Sequence, residues 1–158
     1  MAEEKKVYCF SAGPCVLPKE VLKRAQAEML DWHGTGVSVM EMSHRGKAFV
    51  EISETAKANL RKLMQIPDDF EIFFFQGGAC QQFAAIPLNL FGDNKCSVNY
   101  LTTGTWSETA IAEVKKYTDD VTECASNKAV KYTDIADPSD WKINKESHYF
   151  HYCDNETI

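Results

Sequence analysis

Apolar residues along this chain recur with two different periods, and the alternation between them sets the expected architecture. Over 18–32, Val21, Leu22, Ala25, Met29 and Leu30 keep helical spacing behind Pro18, and Gly34 and Gly36 punctuate the end. Over 46–64, Phe49, Ile52, Ala56, Leu60 and Leu63 fall on one stripe with Lys and Glu opposite, the pattern of a second amphipathic helix. Pro67-Asp68-Asp69 makes a turn. The run 70–75, mostly apolar and rich in phenylalanine, then predicts a buried strand. It ends in Gly77-Gly78-Ala79, after which 80–90 reads as helix. Further on, 96–102 predicts a strand, 106–117 a helix, 121–124 a strand and 149–153 a last strand running into an Asn155-Glu156-Thr157 turn. The stretches 10–17 and 134–145 read as loop, broken by Ser11-Ala12-Gly13-Pro14 and by Pro138. Strands alternating with helices predict an α/β fold with a mainly parallel sheet flanked by helices.

Composition narrows the class. The 158 residues are 44% hydrophobic and 25% charged, a globular balance that suits one domain or one piece of a larger one. No apolar run of about 18 residues is present, and 1–6 is polar with no apolar core behind it, so a membrane span and a secretory signal are not expected. The net charge is −6 and the basic residues are scattered, which argues against nucleic-acid binding. Six cysteines form no CxxC, and with four scattered histidines they give no metal-ligand spacing. Separate reduced thiols in a cytoplasmic protein are the expectation.

Four passages carry candidate chemistry. In Phe73-Phe74-Phe75-Gln76-Gly77-Gly78-Ala79-Cys80, a strand runs through glycines into a helix whose first-turn amides and dipole favour an anion such as phosphate. A tight turn with no ligand fits two glycines as well. The passage is neither GxGxxG nor a Walker sequence, which disfavours dinucleotides and nucleoside triphosphates. A second strand-to-helix junction, Thr102-Thr103-Gly104-Thr105-Trp106-Ser107, puts an indole at the ligand-binding edge of a parallel sheet, as a core or interface residue or as a platform for a flat cofactor. In Ser43-His44-Arg45-Gly46, Arg45 stands just before a helix, either in a loop salt bridge or, with His44, on an acidic substrate. Finally, Thr157 could offer its hydroxyl to a cofactor oxygen, with Asn155 and Glu156 as ordinary turn residues.

Taken together and in order, Phe10-Ser11-Ala12-Gly13-Pro14, Ser38-Val39-Met40-Glu41-Met42-Ser43-His44-Arg45-Gly46, Gln76-Gly77-Gly78-Ala79, Thr103-Gly104-Thr105-Trp106-Ser107 and His151-Tyr152-Cys153-Asp154-Asn155-Glu156-Thr157-Ile158 resemble the phosphoserine aminotransferases over essentially the whole chain. Members of that family are longer, so the resemblance is to their N-terminal portion. It implies the N-terminal part of a fold-type-I, class-V transferase that depends on pyridoxal 5′-phosphate. The implied reaction moves an amino group between glutamate and 3-phosphohydroxypyruvate, giving phosphoserine in serine biosynthesis. By position, the backbone at Ala79 and Cys80 would hold the cofactor phosphate, Trp106 would stack on the pyridine ring, and Thr157 would hydrogen-bond near its phenolic oxygen. Arg45, helped by His44, would bind a substrate carboxylate. The loop around Ala12 would approach the substrate through its backbone, since many relatives have serine there.

The resemblance also implies a homodimer and a domain plan in which 1–17 is an N-terminal loop segment and 18–158 part of the large cofactor-binding domain. The Schiff-base lysine and the acidic partner of the pyridine nitrogen would lie beyond Ile158, so no catalytic residue is assigned and this chain alone is expected to be inactive. A partial parallel sheet also exposes an edge and a face that need covering. The alternative reading is a non-catalytic truncated form acting by assembly with full-length subunits. A different fold-type-I enzyme is the third.

Overall fold

The computed structural model describes residues 7–11, 13, 15–92 and 96–156. The chain divides into two compact units, Met1–Phe73 and Phe74–Ile158.

The first unit is helical. Helix α1 (Lys19–Glu28) stops four residues short of the expected end. The Asp31 carboxylate accepts the Gly36 N–H at 2.7 Å, and the Trp32 N–H donates to the Val37 carbonyl at 3.0 Å. These bonds close a 31–37 loop that competes with further helical turns. A short 3-10 turn, Val39–Glu41, follows. It is fixed by a capping box: the Ser38 hydroxyl accepts the Met40 N–H, and the Glu41 carboxylate accepts the Ser38 N–H at 2.9 Å. Helix α2 (Lys47–Met64) fits the expected span and ends in a left-handed Gln65. Its stripe residues Phe49, Ile52, Ala56 and Leu60 are half-buried, whereas Leu63 is exposed. Arg61 fastens the exit by donating to the carbonyls of Pro67 at 2.5 Å and Phe70 at 2.8 Å.

The second unit carries the sheet. Helix α3 (Gly78–Leu90) precedes β1 (Val98–Thr102), α4 (Thr105–Val114), β2 (Val121–Ser126) and β3 (Tyr149–His151). The strand order is β2-β1-β3, and β1 runs parallel to both neighbours. Every residue of β1 is buried, as expected for the middle strand of a parallel sheet. Val98 and Tyr100 pack with Ala110, Ile111 and Val114 of α4 to make the core, with Phe83, Phe91, Val121 and Tyr149 against it. A polar clasp joins the long β2–β3 connection to this core. Buried Asn99 donates from Nδ2 to the Asn144 carbonyl at 2.8 Å and to Ser147 Oγ, and its Oδ1 accepts the Asn144 N–H at 3.0 Å.

The expected strand over 70–75 is not part of this sheet. Residues 71–75 form no strand and lie outside the three-stranded ladder, and Phe73, Phe74 and Phe75 are 66%, 59% and 74% exposed. A phenylalanine run acquires burial only from what packs along it, and among the described residues no strand ladder covers this one.

Candidate cofactor site

The site lies where β1 and β3 end and the helices begin. Gly77 takes φ 97°, in the left-handed region, and a Cβ there would lie 1.8 Å from Gln81 Oε1 and 2.4 Å from Gln81 Cβ. Only glycine admits this turn into α3. The first intrahelical bond at this end runs from Gln81 N–H to the Gly77 carbonyl at 3.3 Å. The amides of Gly78, Ala79 and Cys80 therefore precede the helical ladder, at the positive end of the dipole, and Ala79 and Cys80 are exposed.

The β1–α4 junction is built differently. Ser107 Oγ accepts the N–H groups of Thr103 at 2.8 Å and Gly104 at 3.0 Å. Glu156, which follows β3, reaches across to complete the end: its Oε2 accepts from the Trp106 and Ser107 amides at 2.7 and 3.1 Å, and its Oε1 accepts from Thr103 Oγ1 at 2.8 Å. Burial alone would raise the Glu156 pKa, but hydrogen bonds from Ser107, Thr103 and Trp106 outweigh it and hold the carboxyl below its ordinary 4.5. Trp106 thus stands in the first turn of α4, 37% exposed.

Between the two junctions opens a cleft of about 400 Å³, lined by Ala79 and Phe83 of α3, Trp106 of α4, and His151 through Asn155. His151 stacks on Tyr100, with centroids 4.7 Å apart, and meets the edge of Phe83 at 5.8 Å. Burial lowers its pKa, so the imidazole is neutral at neutral pH, and its buried Nδ1 has no hydrogen-bond partner among the described residues. The Cys153 thiol is pushed up to about 11, by burial first and the Glu156 charge second. It is therefore protonated and a poor nucleophile.

The expected site residues thus fall into three groups. Ala79, Cys80 and Trp106 come together at one sheet edge. His44 and Arg45 lie in the first unit, both exposed, in the turn before α2 where the Arg45 N–H donates to Ser43 Oγ at 3.3 Å. Among the described residues no carboxylate pairs with Arg45. Thr157 and Ala12 lie outside the described residues. The residue that sequence reasoning missed is Glu156, treated as an ordinary turn residue. The signal appears once the helix start is known: α4 begins at Thr105 behind Gly104, which has no side chain to accept a first-turn amide.

A parallel sheet with flanking helices, glycine-led entry to one helix and an indole opening the next is the N-terminal part of a fold-type-I transferase. The chain belongs to the aminotransferase class-V family, whose model matches residues 7–158. It is 49% identical over 154 residues to a phosphoserine aminotransferase of Nitrosomonas europaea, a match covering 98% of this chain and 41% of that protein. It is 51% identical over 153 residues to the corresponding protein of Chromobacterium violaceum, covering 97% and 42%. A solved structure of pyridoxal-phosphate-bound phosphoserine aminotransferase from Trichomonas vaginalis superposes with a TM-score of 0.83 at 43% identity, over 96% of this chain and 42% of that one. The enzyme from Bacillus circulans subsp. alkalophilus superposes at 0.77 and 39% identity, covering 92% and 40%. The chain thus spans about two-fifths of the length of these relatives.

Proposed function

We propose that these residues form one part of the active site of a pyridoxal-phosphate-dependent phosphoserine aminotransferase. The enzyme would pass an amino group from glutamate to 3-phosphohydroxypyruvate, giving phosphoserine and 2-oxoglutarate, in the cytoplasm and as a homodimer. Residues 18–158 would belong to its large cofactor-binding domain, with 1–17 as an N-terminal segment.

The observation that carries this reading is that Ala79 and the Trp106 indole line one cleft at the C-terminal edge of a parallel sheet. A flat ring bearing a phosphate needs an anion site and an aromatic face together, and the residues present fit that demand. The amides of Ala79 and Cys80 would donate hydrogen bonds to the phosphate, Trp106 would stack on the ring, and Thr157 would meet its oxygen. His151, neutral and half-buried, would shield the floor of the cleft from water. Arg45 and His44 would orient a substrate carboxylate, the planar guanidinium making a bidentate pair. When bound, pyridoxal phosphate supplies an electron sink for the substrate carbon that loses its proton. The lysine that holds the cofactor covalently is not assigned to any position here: Lys47 opens α2, and Lys115 and Lys116 follow α4.

Titration of pyridoxal phosphate into the complete apoenzyme, with formation of 2-oxoglutarate followed separately, tests the reading. Trp106→Ala is expected to weaken cofactor retention by about tenfold, the worth of one lost stacking contact. An unaltered dissociation constant would count against ring stacking, and absence of cofactor binding by the unsubstituted enzyme would refute the reading as a whole.

A further inference from the structure

We infer that Glu156 is a positioning residue: its carboxylate locks the Trp106 platform and the post-β3 segment into one unit, and occupies the α4 N-terminus so that the anion site is left to α3. The inference rests on the cofactor reading above and deepens it. Glu156 accepts three hydrogen bonds from a junction some fifty residues earlier, two from the amides of Trp106 and Ser107 and one from the Thr103 hydroxyl. Because the Trp106 amide is itself one of the donors, the carboxylate fixes the backbone from which the indole projects. Asn155 and Thr157 flank Glu156 in sequence, so the same three bonds tether the strand exit that lines the other side of the cleft.

The two helix N-termini at this edge are thereby made unequal. Both carry dipole charge that attracts an anion. The α4 end already holds a carboxylate, and its Thr103 and Gly104 amides are taken by Ser107. A phosphate approaching α4 would meet a negative charge in place, whereas the α3 end presents exposed first-turn residues and no acid in that turn. Glu156 therefore sets which of two similar junctions receives the phosphate.

Gly104 provides an independent handle on this contact. A Cβ at Gly104 would lie 2.8 Å from Cβ, Cγ and Cδ of Glu156. Its φ of 170° is extended backbone open to any residue, so the steric penalty of Gly104→Ala falls on Glu156. The test compares Glu156→Ala, Glu156→Gln, Gly104→Ala and the Gly104→Ala/Glu156→Ala double variant in the complete enzyme. Pyridoxal-phosphate affinity, the visible circular dichroism of the bound cofactor, and hydrogen exchange at the Trp106 and Ser107 amides of the apoenzyme are the readouts. Glu156→Ala is expected to weaken affinity about tenfold, to change the dichroic band and to deprotect both amides. Glu156→Gln keeps an acceptor oxygen and restores most of the affinity and the band. Gly104→Ala reproduces the Glu156→Ala loss and adds only a small part of it when Glu156 is already alanine, where the contact of the two Cβ atoms at 2.8 Å is all that remains. Equal cofactor affinity and an unchanged band in Glu156→Ala would overturn the positioning role, as would a Gly104→Ala loss that persists in full beside Glu156→Ala. An unsubstituted enzyme that binds no cofactor refutes the cofactor reading and the positioning role together; one that binds while Glu156→Ala binds equally refutes the positioning role alone.

Discussion

Replacing Gly77 by alanine separates two physical demands at the entry to α3. The first is conformational: at φ 97° a Cβ meets the backbone in the left-handed region, which costs roughly 1–2 kcal/mol. The second is steric. The new Cβ would sit 1.8 Å from Gln81 Oε1 and 2.4 Å from Gln81 Cβ. The amide oxygen can swing away, but the Gln81 Cβ is fixed to the helix, so relief requires the first turn of α3 to shift, a strain of about 1–3 kcal/mol. Gly77→Ala should therefore destabilise the apoenzyme by roughly 2–5 kcal/mol. Gly78 is the internal control, because it also has a positive φ of 58° but open space where its Cβ would go. Gly78→Ala should lose only the conformational part, roughly 1–2 kcal/mol. Urea midpoints of the two apo variants give the comparison. Gln81→Ala in the Gly77→Ala background should recover only part of the loss, since the Cβ remains. Equal losses at Gly77 and Gly78, or full recovery by Gln81→Ala, would refute the claim that the turn is closed against a side chain.

Two further outcomes follow from the core beneath the cleft. Asn99→Ala should cost about 2–4 kcal/mol, because it strips hydrogen bonds from both the N–H and the carbonyl of Asn144 and from Ser147 in a part-buried clasp; a urea midpoint within error of the parent would refute the clasp. Burial holds the His151 pKa below its ordinary 6.5, so the unfolded chain binds more protons than the folded one between the two values. Stability should then fall as pH drops below about 6.5 and level off once the folded imidazole is itself protonated. His151→Phe should flatten that part of the profile, and an unchanged slope would remove His151 as its source.

The features legible in the sequence are those whose cause is local. The α2 stripe of Phe49, Ile52, Ala56 and Leu60 needs only a period, and it yields the helix at Lys47–Met64 within a residue. The β-forming cluster of Val98, Tyr100 and Leu101 likewise yields the central strand. The glycine-led turn at Gly77 was readable because a left-handed turn leaves a compositional mark. What failed was set at a distance. The end of α1 depends on Asp31 reaching Gly36, a bond that competes with helical spacing and leaves the apolar period running past it. The phenylalanine run at 70–75 has the composition of a strand, but strand identity belongs to a ladder, and no partner can be read from one segment alone.

The candidate site shows the same division between local and distant causes, with a functional consequence. Trp106 and Ala79 were singled out because each follows a glycine within two residues at the start of a helix. Glu156 was passed over because its partners are Thr103, Trp106 and Ser107, about fifty positions away, and nothing around Asn155-Glu156 marks it as a cap. Yet the missing N-cap at Gly104 and the presence of an acid after β3 are one fact seen from two places. A helix that begins without its own cap has amide donors to satisfy, and in a parallel α/β sheet the neighbouring strand exit is the nearest source of a carboxylate. An uncapped helix start in such a sequence is thus a pointer to a long-range acidic partner. Here that partner follows directly on the strand exit that lines the cleft.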